Sequence, residues 1–356
     1  MSGERSGLRI PLYAALIVFL GVLLAVACLL SLLAGPMNLR VDEVAGALAT
    51  RLSGAEVAGD NLAVDSVVWN LRLPRVILAV LVGAALGMAG AVMQGVFRNP
   101  LADPGVIGVA AGGALGAVLM MVAGGRALGG TAAFDLYGVP MAAMAGAILT
   151  TALIYWLARS THGVDLVTML LVGIAVNALG GALIGVLTYM ATDDELRSMA
   201  FWGLGSLGRA HWGLLLPGLI FLVVPLILLP GYAKALNALL LGERDAACLG
   251  IDVRRVKRGA VALSAAAVGA TVALCGAIGF VALVAPHIIR SVLGADHRIL
   301  LPASALLGAV ILLAADSVSR VIVAPAELPI GILTALLGAP VFLFLVRQRR
   351  RMGTES

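Results

Sequence analysis

Long apolar runs alternate with short polar stretches along almost the whole chain. A helix needs about 20 apolar residues to cross the hydrocarbon of a bilayer. Ten runs reach or approach that length: 11–34, 74–97, 105–123, 138–158, 165–190, 212–230, 259–276, 278–294, 300–322 and 329–347. Turn-forming segments divide them, among them RNPLADPG at 98–105, ARSTHGVD at 158–165, GADHR at 294–298 and APAELP at 324–329. The pattern predicts an all-α integral membrane protein with about ten transmembrane helices. The first run exceeds the 7–15 residues of an export-signal core, so it reads as a retained span.

One polar stretch differs from the rest. LGERDAACLGIDVRRVKR, residues 241–258, carries eight charges in eighteen residues. It is too polar to span, yet the segment around it keeps helical periodicity, with Gly242 and Gly250 as break points. Two short helices are expected at about 236–252, lying across one end of the bundle. An ordinary basic loop is the plainer alternative, but it would not need the apolar positions Leu239, Leu240, Ala246, Ala247 and Leu249. Short amphipathic helices at an aqueous face suit docking into a groove of another protein.

Composition agrees with the pattern. The chain of 356 residues is 61% hydrophobic and 12% charged, where a soluble domain carries about 25% charged residues. Residues 1–356 read as a single transmembrane domain, and the 44 glycines suit helices that pack closely in lipid. The net charge of +5 has a topological explanation. With a cytoplasmic N-terminus, 16 of the 24 Lys and Arg fall inside, and eight fall outside: Arg40, Arg51, Arg72, Arg75, Arg126, Arg197, Arg209 and Arg320. That excess follows the positive-inside rule and predicts N-in, C-in topology, with the island in the cytoplasm. No nucleic-acid partner is needed to account for it.

Enzyme chemistry finds little support. The four His (162, 211, 287, 297) are scattered, the three Cys form no CxxC, and no metal site is expected. No GxxxxGK[ST] phosphate loop occurs, which is consistent with any ATP use residing in a separate chain. An ion-coupled secondary transporter would place acids near the bilayer midplane. Here Asp316 and Glu327 fall at or beyond the outer ends of spans, which weighs against that alternative.

Five segments together resemble one family: LRLPRVILAVLVGAALGMAGAVMQGVFRNPLADPGVIGV (71–109), LGERDAACLGI (241–251), IGFVALVAPHIIR (278–290), DHRILLP (296–302) and ELPIGILTALLGAPVFLFL (327–345). They resemble the FecCD family, permeases of ATP-driven importers for haem, ferric siderophores and cobalamin. The resemblance implies a homodimer in the bacterial inner membrane, two ATPase subunits beneath it and a periplasmic binding protein above. It implies that Leu241, Gly242, Glu243, Arg244, Ala246, Ala247, Leu249 and Gly250 form the ATPase coupling element. It implies that Arg72, Arg75 and Arg320 dock the binding protein, and that Asn99, Leu101 and Leu166 build a cytoplasmic gate. The segment GVDLVTML at the fifth span is more apolar than in the cobalamin permeases.

The wording FWGLGSLG at 201–208 resembles the haem permeases and makes haem the expected substrate, with a ferric siderophore or cobalamin as alternatives. Arg197, Phe201, Trp202 and Arg209 are the candidate substrate mouth, although an interfacial belt would use the same residue types. Thr192 and Glu195 have the spacing of a helix capping box. No convincing pair of axial iron ligands is present. His287, Met190 and Met199 read as packing residues, and no cofactor is expected to reside in the subunit.

Overall fold

The computed structural model describes residues 4–37, 39–54, 62–124, 131, 134–160, 163–324 and 326–353. Arg126 and His162 lie outside the described residues. The helices run in order α1 (Glu4–Leu33), α2 (Val41–Ser53), α3 (Leu62–Ser66), α4 (Leu73–Val96), α5 (Val109–Leu119), α6 (Val139–Leu157), α7 (Leu166–Met190), α8 (Asp193–Gly203) and α9 (Trp212–Leu228). They continue with α10 (Ala233–Leu241), α11 (Glu243–Cys248), α12 (Val253–Cys275), α13 (Val281–Leu293), α14 (His297–Val321) and α15 (Ile330–Gly353). Two-residue strands β1 (Arg159–Ser160) and β2 (Gly163–Val164) pair antiparallel in the turn before α7.

Among the described residues, seven helices are long and apolar enough to cross a membrane, and three shorter apolar ones occur at Val109–Gly124, Val281–Leu293 and Ile330–Leu343. Together they account for the ten expected spans. Helix α4 is the hub. It is buried almost throughout, whereas α7 is exposed along most of its length. Three glycines on one face of α4 explain the hub. A Cβ on Gly83 or Gly87 would overlap the main chain of α14 at Gly308 or Ser304, and one on Gly90 would overlap Ala282 of α13. Gly308 meets Gly83 in the same way. Backbones thus approach each other directly, the device by which helices gain contact in lipid.

Polar contacts sort into two ends. Arg72, Arg75, Asp316, Arg320 and the end of α1 share one end. Gln94, Arg290, Asp296, His297 and Asn237 share the other. A helix the length of α4 separates such groups by about 36 Å, enough to cross the bilayer. Helix α1 ends at the first cluster, and α15 begins beside it, since Ile330 donates its N–H to Gly205 and Leu328 donates to Ser319. The start of α1 and the end of α15 therefore lie at the island's end, as N-in, C-in topology requires.

Three elements differ from the expected pattern. Helix α2 was not expected; the Arg40 N–H donates to Glu43 Oε2 at 2.8 Å, and Gly54 closes the helix with φ 70°. The second span starts at Leu62 and passes through a wide turn at Val67–Arg72 before α4. Helix α12 starts at Val253, so Arg254, Arg255, Lys257 and Arg258 form its first turns instead of a loop.

Candidate functional site

At the inner end, the island forms the two helices α10 and α11. Gly242 separates them at φ 129°, and Gly250 ends the second at φ 81°, conformations that a side chain rarely adopts. Leu236, Leu239 and Ala246 are buried against the bundle. Leu241 and Leu249 point outward, 67% and 65% exposed, and Ala247 and Arg244 are also exposed. Ala246 is therefore a correction to the expected coupling set: its methyl packs inside the subunit and cannot meet another protein. Glu243 is tied to the buried Lys257 of α12 at 2.7 Å. Asn237 fixes α10 to the start of α14, donating to Asp296 Oδ1 at 2.6 Å and accepting the His297 N–H at 2.8 Å. Sequence reading missed Asn237, because its partners lie about 60 positions away. Side-chain bonds therefore join α10 to α14 and α11 to α12.

The RNPLADPG turn lies at the same end. Arg98 takes the left-handed conformation, φ 49°. Asn99 is exposed; it donates its N–H to the Gln94 carbonyl at 3.1 Å and accepts the Leu101 N–H at 3.0 Å through its side chain. Leu101 is half-buried. Asp103 caps the tight turn Pro104–Ile107 by accepting the Gly105 N–H at 2.6 Å, and burial pushes its carboxyl up despite that bond. Leu166 is the first residue of α7. Its cap Asp165 accepts the N–H groups of Val167 at 3.3 Å and Thr168 at 3.1 Å. The Thr168 hydroxyl bond holds the Asp165 carboxyl below the usual carboxylate range. The structure brings the 104–107 turn against α7.

At the outer end, the three arginines expected at the surface are almost fully buried: Arg72 is 5%, Arg75 9% and Arg320 3% exposed. Arg72 donates to the carbonyls of Leu32, Leu33 and Met37, closing the end of α1. Arg75 donates to both oxygens of Asp316, at 3.0 and 3.1 Å from Nε, and to Glu327 at 2.8 Å. Arg320 pairs with Asp316 at 3.2 Å and donates to the carbonyl of Ser31 at 3.1 Å and that of Ala34 at 3.0 Å. Only Glu327, with a side chain 40% exposed, opens to solvent. The cluster ties α1, α4, α14 and the start of α15 together.

The region after α7 holds the candidate mouth. The expected capping box is present: the Thr192 N–H donates to Glu195 Oε2 at 2.8 Å, and the Thr192 hydroxyl accepts the Glu195 N–H at 3.5 Å. Arg197, Phe201 and Arg209 are exposed. Trp202 is not; at 9% exposure it packs into the core, which removes it from the mouth. The GLGS stretch has a structural task. Ser206 donates to the Cys275 carbonyl at 2.8 Å, and Gly331 donates to the Leu204 carbonyl at 3.0 Å, joining this loop to the end of α12 and the start of α15.

The FecCD transport family model matches residues 23–348. The hemin transport system permease protein HmuU of Yersinia pestis is 46% identical over 296 residues, covering 82% of this chain and 87% of that one. The cobalamin import system permease protein BtuC of Halobacterium salinarum is 42% identical, over 80% of this chain and 74% of its own. The molybdate import system permease protein MolB of Haemophilus influenzae is 35% identical, over 97% and 98%. A solved inward-facing metal-chelate type ABC transporter superposes with a TM-score of 0.81 at 33% identity, covering 94% of this chain and 99% of that structure.

Proposed function

The chain belongs to the FecCD transport family of ABC importer permeases, and on that premise we propose that it carries haem inward across the inner membrane. It acts as a homodimer that receives haem from a periplasmic binding protein. Two ATPase subunits drive it by pressing on α10 and α11. The observation that carries the importer mechanism is the outward apolar face of Leu241, Ala247 and Leu249 beside the exposed Arg244, on helices anchored to α12 and α14. Leu241, Gly242, Glu243, Arg244, Ala247, Leu249 and Gly250 keep the coupling assignment, with Ala246 as the internal anchor. Asn99, Leu101 and Leu166 gate the path at its cytoplasmic end.

Haem is favoured by the likeness to the Yersinia permease and by the exposed Arg197, Phe201 and Arg209, which suit a flat apolar ring bearing two carboxylates. The cobalamin relative, 42% identical, supports a second reading with cobalamin as cargo. On the outer face, docking through Arg72, Arg75 and Arg320 works by exchange: a carboxylate of the binding protein replaces Glu327 on Arg75. Arg72, closed by main-chain acceptors, and Arg320, held by Asp316 and two main-chain carbonyls, keep the surface in shape. The test is uptake into proteoliposomes holding permease, ATPase and binding protein, with haem and cobalamin offered separately. ATP-dependent uptake of haem but not cobalamin is expected, and the reverse preference replaces the haem reading by the second one.

A further inference from the structure

A cavity of about 1440 Å³ lies at the inner end, between the last turn of α6, the β1–β2 hairpin, α11 and the first turns of α12. Pockets for small ligands typically span roughly 300–1,000 Å³, so this one is large. Six cationic side chains line it: Arg159, Arg244, Arg254, Arg255, Lys257 and Arg258. Two acids face them, and both are engaged, Glu243 with Lys257 at 2.7 Å and Asp252 with Arg255 at 2.9 Å. Arg159, Arg244 and Arg258 have no ion pair among the described residues. The positive-inside rule explains basic residues at this end, but not their convergence on one concavity from separate elements.

The depth of the cavity is marked by its aromatics. Trp156, in the last turn of α6, is 68% exposed and lines the same cavity with Tyr155. A Trp at the end of a span sits at headgroup level. Arg159 follows three residues later, where the chain leaves the hydrocarbon. Guanidiniums match phosphate oxygens with paired N–H groups, and basic pockets between transmembrane helices on the cytoplasmic side suit anionic headgroups.

We propose that this cavity binds a phosphate-bearing anion, and that in the membrane the occupant is the headgroup of an anionic phospholipid. Its phosphate lies between Arg159 on one wall and Arg258 on the other, so the lipid bridges the end of α6 to the first turns of α12.

Native mass spectrometry of the detergent-purified permease tests this with phosphatidylglycerol and phosphatidylcholine offered together. The parent is expected to retain phosphatidylglycerol with at least tenfold preference. Arg159→Gln with Arg258→Gln should abolish the preference, Arg159→Lys with Arg258→Lys should keep part of it, and Arg197→Gln with Arg209→Gln at the other end should leave it whole. Equal retention of the two lipids by the parent overturns the proposal, as does unchanged preference in the glutamine pair. Should the glutamine pair not fold, the graded response of the lysine pair against the parent decides. Displacement of phosphatidylglycerol by millimolar inorganic phosphate or ATP would assign the site to a free anion and overturn the lipid assignment. Expulsion of the lipid on adding the ATPase subunits would show that the cavity is part of their docking surface, and would also overturn it.

Discussion

Asp316 and Glu327 both hold Arg75, yet burial gives the two bonds different weights. Asp316 is fully buried and Glu327 is 40% exposed. Removing one partner of a buried pair strands a charge and costs about 3–5 kcal/mol, whereas solvent-screened pairs contribute about 0–1 kcal/mol. Arg75→Ala should therefore lower unfolding free energy in detergent by about 3 kcal/mol, the low end, because Arg320 still reaches Asp316 at 3.2 Å. Arg75→Lys should restore little, since one ammonium cannot serve two carboxylates as the planar fork does. Glu327→Gln should cost less than about 1 kcal/mol. Denaturant unfolding of the three variants checks the order, and equal losses for Arg75→Ala and Glu327→Gln would refute the burial argument. At this scale the sequence was least readable. Arg75 and Asp316 stand 241 positions apart, and an arginine at the end of an apolar run looks alike whether it snorkels to water or turns inward to a carboxylate.

Helix packing depends on whether a backbone has room for a methyl group. Gly87 has the Ser304 carbonyl in the space a Cβ would take, while nothing approaches Gly21 of α1 within 4 Å. Overpacking of this kind costs about 1–3 kcal/mol, and Ala in an open helix position gains up to about 1 kcal/mol over Gly. Gly87→Ala and Gly21→Ala should thus shift thermal stability in opposite directions, which differential scanning in nanodiscs would read. The coupling helices give a second contrast of the same kind. Leu249→Asp, on the exposed face, should leave stability unchanged and lower transport per ATP at least tenfold; normal coupling in that variant would remove α11 from the ATPase contact. Ala246→Asp, buried beside it, should unfold the pair, because an unpaired buried charge costs several kcal/mol. The membrane spans and the island's break at Gly242 were legible because apolar length and helical period are local properties of the chain. Helix α2 was not, since a short mixed-polarity helix at the membrane surface fails any test based on twenty apolar residues. The start of α12 at Val253 was hidden for the same reason: four cations in its first turns look like loop until the cavity wall they form is seen.

For the molecule as a whole, the deciding quantity is how weakly the path holds its cargo. Helices α7 and α15 expose Leu171, Ile174, Leu183, Leu337 and Leu343, and few polar groups interrupt them. In the proposed haem importer such faces would wall the path, and a conduit must bind loosely enough to release. Tight axial ligation would trap haem between binding protein and cytoplasm. Met199→Ala and His287→Ala are therefore expected to transport haem at the parent rate in proteoliposomes with ATPase and binding protein. In the proposed haem importer, Phe201→Ala combined with Arg197→Gln and Arg209→Gln should cut uptake several-fold while the ATPase rate holds, because those side chains would meet the ring and its carboxylates on entry. A proton gradient without ATP should drive nothing. Loss of uptake in Met199→Ala or His287→Ala, with folding and ATP hydrolysis intact, would show that iron is handed between ligands along the path. Full uptake in the triple variant would move the entry site away from α8, to surfaces that only the assembled dimer creates.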